Sequence, residues 1–386
     1  MKILLVSMSS IHFFRWTKQL KDSGHEVFWF DILDNIKPSE RIPWVHQIVS
    51  WKRRWDFPGR YFLKNNALII HKNLQKINER NTAKEFEKIV LKIQPDVIHS
   101  FALYVACTPI LEVMNKYPEI KWVYSSWGSD LFYFKNIPSY LKDIKKVLPR
   151  VDYLFTDCQR DLQIAQELGF NGQFLGVFPG GGGYVLEDFG SNLKHLYKRT
   201  IILIKGFQGR SGRSIPVLKA VVQLKVVLEK YEIVVFGADQ EVMNVANSMH
   251  LTEWSNFKIV GRIAHKEVLQ LMGKALVYFG NSNSDGIPNT LLEAICFGAF
   301  PIQSNPGGAT AEIIEDGKNG FLIQNCDDII EIRSKIEKAL VNRELLINAF
   351  KMNMKLRNQL EYNYIREQVL NKYIQVENDI LFQNNH

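Results

Sequence analysis

Cysteine is scarce in this chain, and its four copies stand far apart: Cys107, Cys158, Cys296 and Cys326 form no Cys-x-x-Cys pair. That pattern excludes a zinc ribbon or a disulfide framework and is read as buried, reduced thiols. No apolar run approaches the ~20 residues needed to span a bilayer. The longest run near the start, ILLV, gives way to SMSS, so it reads as a first β-strand and not as a signal-peptide core. With neither export nor membrane-spanning segment in view, the expected location is the cytoplasm. Glycine is absent from the first turn, SMSSIHFF, where a hydride-transfer fold would carry G-x-G-x-x-G. Acidic residues are also in deficit, giving a net charge of +8. The deficit is local: residues 51–92 hold 11 Lys or Arg against 4 Asp or Glu.

What is present is alternation. KILLVS is followed by FFRWTKQLKDSG, whose Phe13, Phe14, Trp16 and Leu20 fit one helical face, and then by the strand EVFWFDI. After a long section that reads as irregular and basic come the helix AKEFEKIVLKIQ and the strand DVIHSFA. CTPILEVMNKY, WVYSSW, YLFTDC and DLQIAQELG continue the series, which predicts a parallel sheet with helices on both faces. The series stops at VFPGGGGYVLEDFGSN, where four consecutive glycines, Gly180 to Gly183, mark a boundary and an expected hinge. It restarts with TIILIKG and runs on through EIVVFGA, FKIVG, ALVYFG and AFPIQS. The chain is long enough for two domains. The expected class is α/β: two doubly wound domains over residues 1–178 and 179–360, with a helical tail over 361–386 returning to the first.

The densest chemistry lies in GNSNSDGIPNTLLEAICFGAFPIQSNPGGATAE, residues 280–312. Two acids, Asp285 and Glu293, sit in an otherwise apolar stretch. A plain core would not need the acids, and a solvated surface would not need the apolar run. Proline suits a first helical turn, so a helix is expected from near Pro288 to Gly298. Its free N–H groups and positive dipole end would then face the loop holding Asp285, a ready site for a diphosphate. Glu293 shares a face with Asn289 and would point toward the same cleft. A carboxylate near phosphate makes sense if it bonds sugar hydroxyls. Upstream, KGFQGRSGRS interleaves glycines with Lys205, Arg210 and Arg213, again the dress of a phosphate chain.

DGIPNTLLEAICFGAFPI resembles the E-G-x-P-x-x-L-L-E-A-x-A-x-G-x-P-V segment of retaining family-4 glycosyltransferases. GGATAEIIEDGKNGFLI is similar to that family's G-G-x-x-E-I-I-x-x-G-x-N-G-x-L, and PDVIHSF and SSWGSD resemble its P-D-V-I-H-x-H and H-G-S-D. The resemblance implies the GT-B architecture, two Rossmann-like domains facing each other across a cleft. It implies transfer of a hexosyl or N-acetylhexosaminyl group from a nucleotide sugar, with a UDP-sugar the expected donor, to a glycan or lipid-linked acceptor. Cell-surface polysaccharide or glycolipid synthesis is the implied setting. By position, Asp285 stands where the family's first Glu contacts the donor sugar, and Glu293 where the second holds the ribose. Gly286, Ile287, Pro288, Asn289, Thr290 and Leu291 would offer backbone amides to sugar and diphosphate. Gly261, Arg262 and Ile263 match the turn against the base. Arg213 best matches the family's phosphate-binding Lys, while Lys205 and Arg210 both remain candidates for its Arg. No cofactor and no metal are expected, since cationic side chains would do a metal's work and no Asp-x-Asp precedes the donor site.

Two departures stand out. The first acid is Asp, a carbon shorter than Glu. The family's His before G-S-D, which the resemblance puts near the reacting carbon, is Trp127 here, an acceptor-side residue, with His12 the candidate to take that catalytic place. Asp130 reads equally as a turn residue and as an acceptor contact, and His99 reads as a structural histidine. Two other functions share the architecture: a hydrolysing sugar-nucleotide epimerase and a non-catalytic subunit. Finally, residues 51–76 interleave Trp51, Trp55, Phe57, Tyr61 and Phe62 with Lys52, Arg53, Arg54, Arg60 and Lys64. No nucleic-acid motif accompanies them. The alternatives are a solvated face over buried aromatics and a peripheral contact with an anionic membrane.

Overall fold

The computed structural model describes residues 1–34, 37–55, 60–187 and 193–384. They form two units: one of residues 1–156, 162–181 and 369 onward, the other of residues 157–161 and 182–368. Each is built on a sheet whose paired strands all run parallel.

In the first unit the strands are β1 (Lys2–Ser7), β2 (Glu26–Asp31), β3 (His46–Ile48), β4 (Val97–Phe101), β5 (Lys121–Ser125), β6 (Tyr153–Thr156) and β7 (Gln173–Val177). Their order is β3-β2-β1-β4-β5-β6-β7. β4 is buried along its whole length and β1 along all but its first residue, as expected of central strands covered on both faces. The helix Ile11–Lys18 starts where Ser10 Oγ accepts the Phe13 N–H at 3.1 Å, and it buries Phe13, Phe14 and Trp16. Among its described residues, the section expected to be irregular is so only in part. It supplies β3 and the helices Arg60–Asn66 and Leu68–Asn78. Its polar, basic composition hid a helical period whose apolar residues are largely exposed and not packed.

In the second unit β8 (Ile201–Lys205), β9 (Glu232–Phe236), β10 (Phe257–Ile259), β11 (Ala275–Gly280), β12 (Phe300–Ser304) and β13 (Phe321–Ile323) take the order β10-β9-β8-β11-β12-β13. That is the doubly wound pattern whose strand order reverses at one point, here between β8 and β11. The division between the units passes through the glycine run, after Gly181. Gly182 and Gly183 adopt φ of 70° and 84°, a region that suits glycine. A Cβ on Gly183 would also meet the Tyr362 backbone at 3.0 Å. The helix Tyr362–Asn384 begins in the second unit, and from Val369 it belongs to the first. There Tyr373 is buried, with its hydroxyl 2.6 Å from His99 Nδ1 and accepting the Trp16 indole N–H at 3.3 Å.

Candidate functional site

Ligands of doubly wound folds bind beyond the carboxyl ends of the strands, where the strand order reverses. In the second unit that place is occupied by a small cleft lined by Lys205, Ser211, Gly212, Ser282, Asp285 and Pro288, among others. Lys205 closes β8, and Gly280 closes β11. The glycines of the loop after β8 are sterically required. A Cβ on Gly212 would lie 2.1 Å from the Phe207 carbonyl, and one on Gly206 would lie 2.6 Å from Val235 Cγ1. The loop is pinned to the one after β11: Asn281 donates to the Arg213 and Cys326 carbonyls at 2.8 and 2.7 Å.

Asp285 sits at the cleft with its carboxylate accepting the Gly286 N–H at 3.1 Å. Burial pushes its carboxyl up, against the opposing pull of Lys205, the Gly286 N–H, Arg160 and Arg210. The helix runs from Asn289 to Cys296 with Pro288 as its N-cap. Not every amide of that run is free for a ligand. Pro288 has none, Gly286 donates to Asp285, and Leu291 donates to the Pro288 carbonyl at 2.9 Å while its side chain is core. Ile287 also packs into the core, whereas Thr290 Oγ1 accepts the Tyr278 hydroxyl at 2.9 Å. Asn289 receives the Tyr184 hydroxyl on its side-chain oxygen at 3.0 Å.

Glu293 is 3% exposed, and its Oε1 lies 2.7 Å from Nε2 of His265, the first residue of the helix His265–Met272. In the turn between β10 and that helix, the Gly261 carbonyl accepts the Gly237 N–H at 3.1 Å, Arg262 is exposed and Ile263 is partly buried. The three cations are not equivalent. Lys205 lines the cleft, and Arg210 is exposed nearby. Arg213 is folded onto its own loop, donating to the Gly212 carbonyl at 2.7 Å with Nε 3.6 Å from Asp327.

In the first unit, His12 and Trp127 are brought together, their rings edge-on at 6.1 Å between centroids. Trp127 also packs by Phe101, and its indole nitrogen is buried without a hydrogen-bond partner. Asp130 holds its own loops together. It is buried and accepts the Leu103 N–H, the Trp127 N–H and the Tyr124 hydroxyl at 2.9, 2.9 and 2.6 Å. It therefore shapes the loop that carries Trp127. His99 is fully buried between Tyr373 and Ser125, and burial lowers its pKa to about 3.

Two family models match the chain. "Glycosyl transferase 4-like" covers residues 2–157 and "Glycosyl transferases group 1" covers residues 194–363. The chain is a family-4-like glycosyltransferase of the GT-B architecture. The enzyme is 28% identical over 188 residues to a Campylobacter jejuni protein, GalNAc-alpha-(1->4)-GalNAc-alpha-(1->3)-diNAcBac-PP-undecaprenol alpha-1,4-N-acetyl-D-galactosaminyltransferase. That match takes in 47% of the enzyme and spans about half (50%) of the relative's length. Among solved structures, its fold is similar to sucrose-phosphate synthase from Thermosynechococcus elongatus, with TM-score 0.73, 16% identity and coverage of 98% and 99% of the two chains. It is similar also to HepE from Anabaena, solved in complex with UDP and glucose, with TM-score 0.69, 13% identity and coverage of 97% and 100%.

Four residues of the enzyme's second unit matter to the cleft and were not singled out by motif. Arg160 Nη1 donates to the carbonyls of Asp285 and Pro306 at 2.8 and 2.7 Å, and its other nitrogens bind Asp161. Glu312 accepts the N–H groups of Gln159 and Arg160 at 2.6 and 2.9 Å. The Asp157 carboxylate packs so closely on Gly286 that a Cβ there would lie 2.3 Å from either oxygen. His265 holds Glu293. These contacts join segments up to 153 residues apart, and no local spacing announces them. Among the described residues, Asp157, Cys158 and Asp161 are the set close enough to share a metal ion, within 4.8 Å, but Arg160 already neutralises Asp161.

Proposed function

We propose that the enzyme is a retaining transferase that moves a sugar from a UDP-sugar to a hydroxyl of a glycan or lipid-linked acceptor, without a metal. The observation that carries this reading is the cleft at the strand-order reversal. It sets Asp285 beside Lys205, with Glu293 buried on the helix behind. A cation, a half-buried acid and a helix start suit a diphosphate joined to a hydroxyl-rich ring. The presence of UDP in HepE, and of UDP-glucose in a further structure of it, supports a uridine donor. The undecaprenol diphosphate acceptor in the Campylobacter protein's name supports a lipid-linked acceptor and a place in surface glycan synthesis.

On this reading the acceptor oxygen bonds the anomeric carbon as the bond from that carbon to the diphosphate oxygen breaks. Attack occurs on the same face, and the leaving phosphate takes the acceptor's proton. Lys205 and Arg210 stabilise the charge that grows on the phosphates. Arg213 joins them by leaving Asp327, an exposed partner whose loss costs little. Asp285 accepts from the sugar's hydroxyls and Glu293 from the ribose. The test is release of free nucleotide from UDP-, GDP- and ADP-sugars with and without lipid extract, with the product's anomeric configuration read by NMR. Inversion would sink the retaining mechanism, release with an epimerised free sugar would indicate the epimerase, and no release at all a non-catalytic subunit.

A second reading concerns the basic stretch. Trp51 is buried and Lys52 lies 3.8 Å from Glu79, so part of 51–76 is ordinary packing. Phe57 lies outside the described residues, as do the side chains of Arg60, Tyr61 and Lys64. Yet Trp55, Phe62, Leu68, Ile69, Ile70 and Ile77 are all exposed, with Arg54, Lys72 and Lys76 exposed among them. No helix among the described residues is long and apolar enough to cross a membrane. An anionic bilayer surface matches both the apolar and the basic character of this face, each basic residue adding roughly 1 kcal/mol. Co-sedimentation with phosphatidylglycerol vesicles, weakened by salt and by Ile69→Glu with Lys72→Glu, is expected. Equal recovery on neutral and anionic vesicles would refute it.

A further inference from the structure

The amino-terminal edge of the second sheet carries a cavity that the donor reading leaves unused. It measures about 300 Å³ and is lined by Arg199, Lys230 and Arg343, by Tyr197 and Tyr231, and by aliphatic side chains. Arg199 lies two residues before β8, Tyr231 one residue before β9, and Leu276 second in β11. The donor cleft lies beyond the other ends of these same strands.

Arg199 is the unusual member. It is 3% exposed, yet its hydrogen bonds go to backbone carbonyls and no carboxylate among the described residues raises its pKa. Nε donates to the Lys194 carbonyl at 2.9 Å, Nη1 donates to the Ala275 carbonyl at 3.1 Å, and the guanidinium lies over the Phe350 ring at 5.6 Å. Nη2 is buried with no hydrogen-bond partner. Burial alone lowers its pKa to about 10, with no neighbouring charge in opposition. A buried cation lacking a counter-charge is costly to fold around, and an arriving anion would offset that cost. The other two cations reinforce it. The Arg343 guanidinium stands 4.9 Å over the Tyr197 ring and the Lys230 ammonium 5.4 Å over Tyr231. No Asp or Glu lines the cavity.

We propose that this cavity binds a small organic oxyanion, with a phosphate or carboxylate facing the lining cations Arg199, Lys230 and Arg343 and an apolar or aromatic body beside the lining tyrosines. The volume is at the lower end of small-molecule pockets, which limits the ligand to about one ring and its anionic group. Site and ligand class stand independently of the nucleotide reading.

The experiment is a thermal-shift titration of the whole protein with inorganic phosphate, phenyl phosphate and benzoate, each at an ionic strength held constant with sodium chloride. Phenyl phosphate and benzoate distinguish the two sources of the anionic group. The wild type is expected to show a saturable rise in melting temperature with at least one aromatic anion, and a weaker response to inorganic phosphate. Lys230 and Arg343 are exposed, so the double variant Lys230→Gln, Arg343→Gln is expected to fold and to need at least tenfold more ligand for the same shift. Wild-type protein that responds to none of the three beyond chloride overturns the proposal. So does a double variant that responds as the wild type does.

Discussion

Replacing Gly286 by alanine tests how tightly the donor loop is set. The backbone φ there is not positive, so the perturbation is purely one of space. The added Cβ would lie 2.3 Å from both Asp157 carboxylate oxygens, about 1 Å short of an ordinary contact. Asp157 is itself buried and cannot swing aside freely. Overpacking of this kind costs roughly 1–3 kcal/mol. For a unit of this size each kcal/mol lowers the melting temperature by roughly 2–4 °C, so a fall of about 2–12 °C is expected. The loop must also yield, and Asp285 is the preceding residue. A displacement near 1 Å at a reacting group costs turnover on the order of a hundredfold. Differential scanning fluorimetry and a nucleotide-release assay read the two effects. Asp157→Ala removes both obstructing oxygens, so Gly286→Ala should be nearly neutral in that background, a coupling that a double-mutant cycle measures. A Gly286→Ala protein that melts within about 1 °C of wild type with unchanged turnover would refute the argument.

Glu293→Gln should keep the fold yet weaken UDP binding about tenfold or more, since charged hydrogen bonds are worth roughly 1.5–3 kcal/mol; calorimetry showing equal affinity would remove the ribose role. Asp130→Asn leaves three donors facing an amide and should cost roughly 1–3 kcal/mol of stability without touching UDP affinity, as urea melts and calorimetry would show. Arg160→Met breaks a buried pair and frees the Asp285 and Pro306 carbonyls, so a loss of roughly 3–5 kcal/mol is expected in urea unfolding. His99 titrates near 3 when folded and near 6.5 when unfolded, so it stays neutral in the native state. Its contribution to stability is complete above pH 6.5 and is lost as the pH falls toward 3, at up to about 1.4 kcal/mol per pH unit. His99→Gln should flatten that slope between pH 6 and 4, and identical slopes would contradict the assignment.

Most of the fold was legible because parallel strands buried on both faces announce themselves as unbroken apolar runs. KILLVS, VIHSF and ALVYFG needed nothing else. β3 was not legible: HQI is three residues long, half-exposed, and finds its register only against β2. β7 was missed for a similar reason, with Gly176 as its fourth residue and one buried residue in five. The acids of the cleft could be read because they interrupt an apolar stretch. Their partners could not. Arg160, Glu312 and His265 act on segments brought near by the sheet, and a charged residue at a helix start looks the same whether it caps its own helix or holds a distant loop. Arg213 shows the limit from the other side, since its place in the sequence is right for a phosphate while its side chain rests on Asp327.

The helix Tyr362–Asn384 also bears on how the chain is made. Val369, Tyr373 and Val376 are fully or almost fully buried and belong to the first unit, although more than 180 intervening residues are translated before them. A ribosome therefore completes the second unit's span, through residue 368, while the first still lacks a piece of its interior. Until residue 373 emerges, His99 and Trp16 wait without the hydroxyl they share. Domains generally fold from the amino terminus during synthesis. Here the earlier-made domain must be the last to close, held open as a nascent form until the segment through Val376 has been translated.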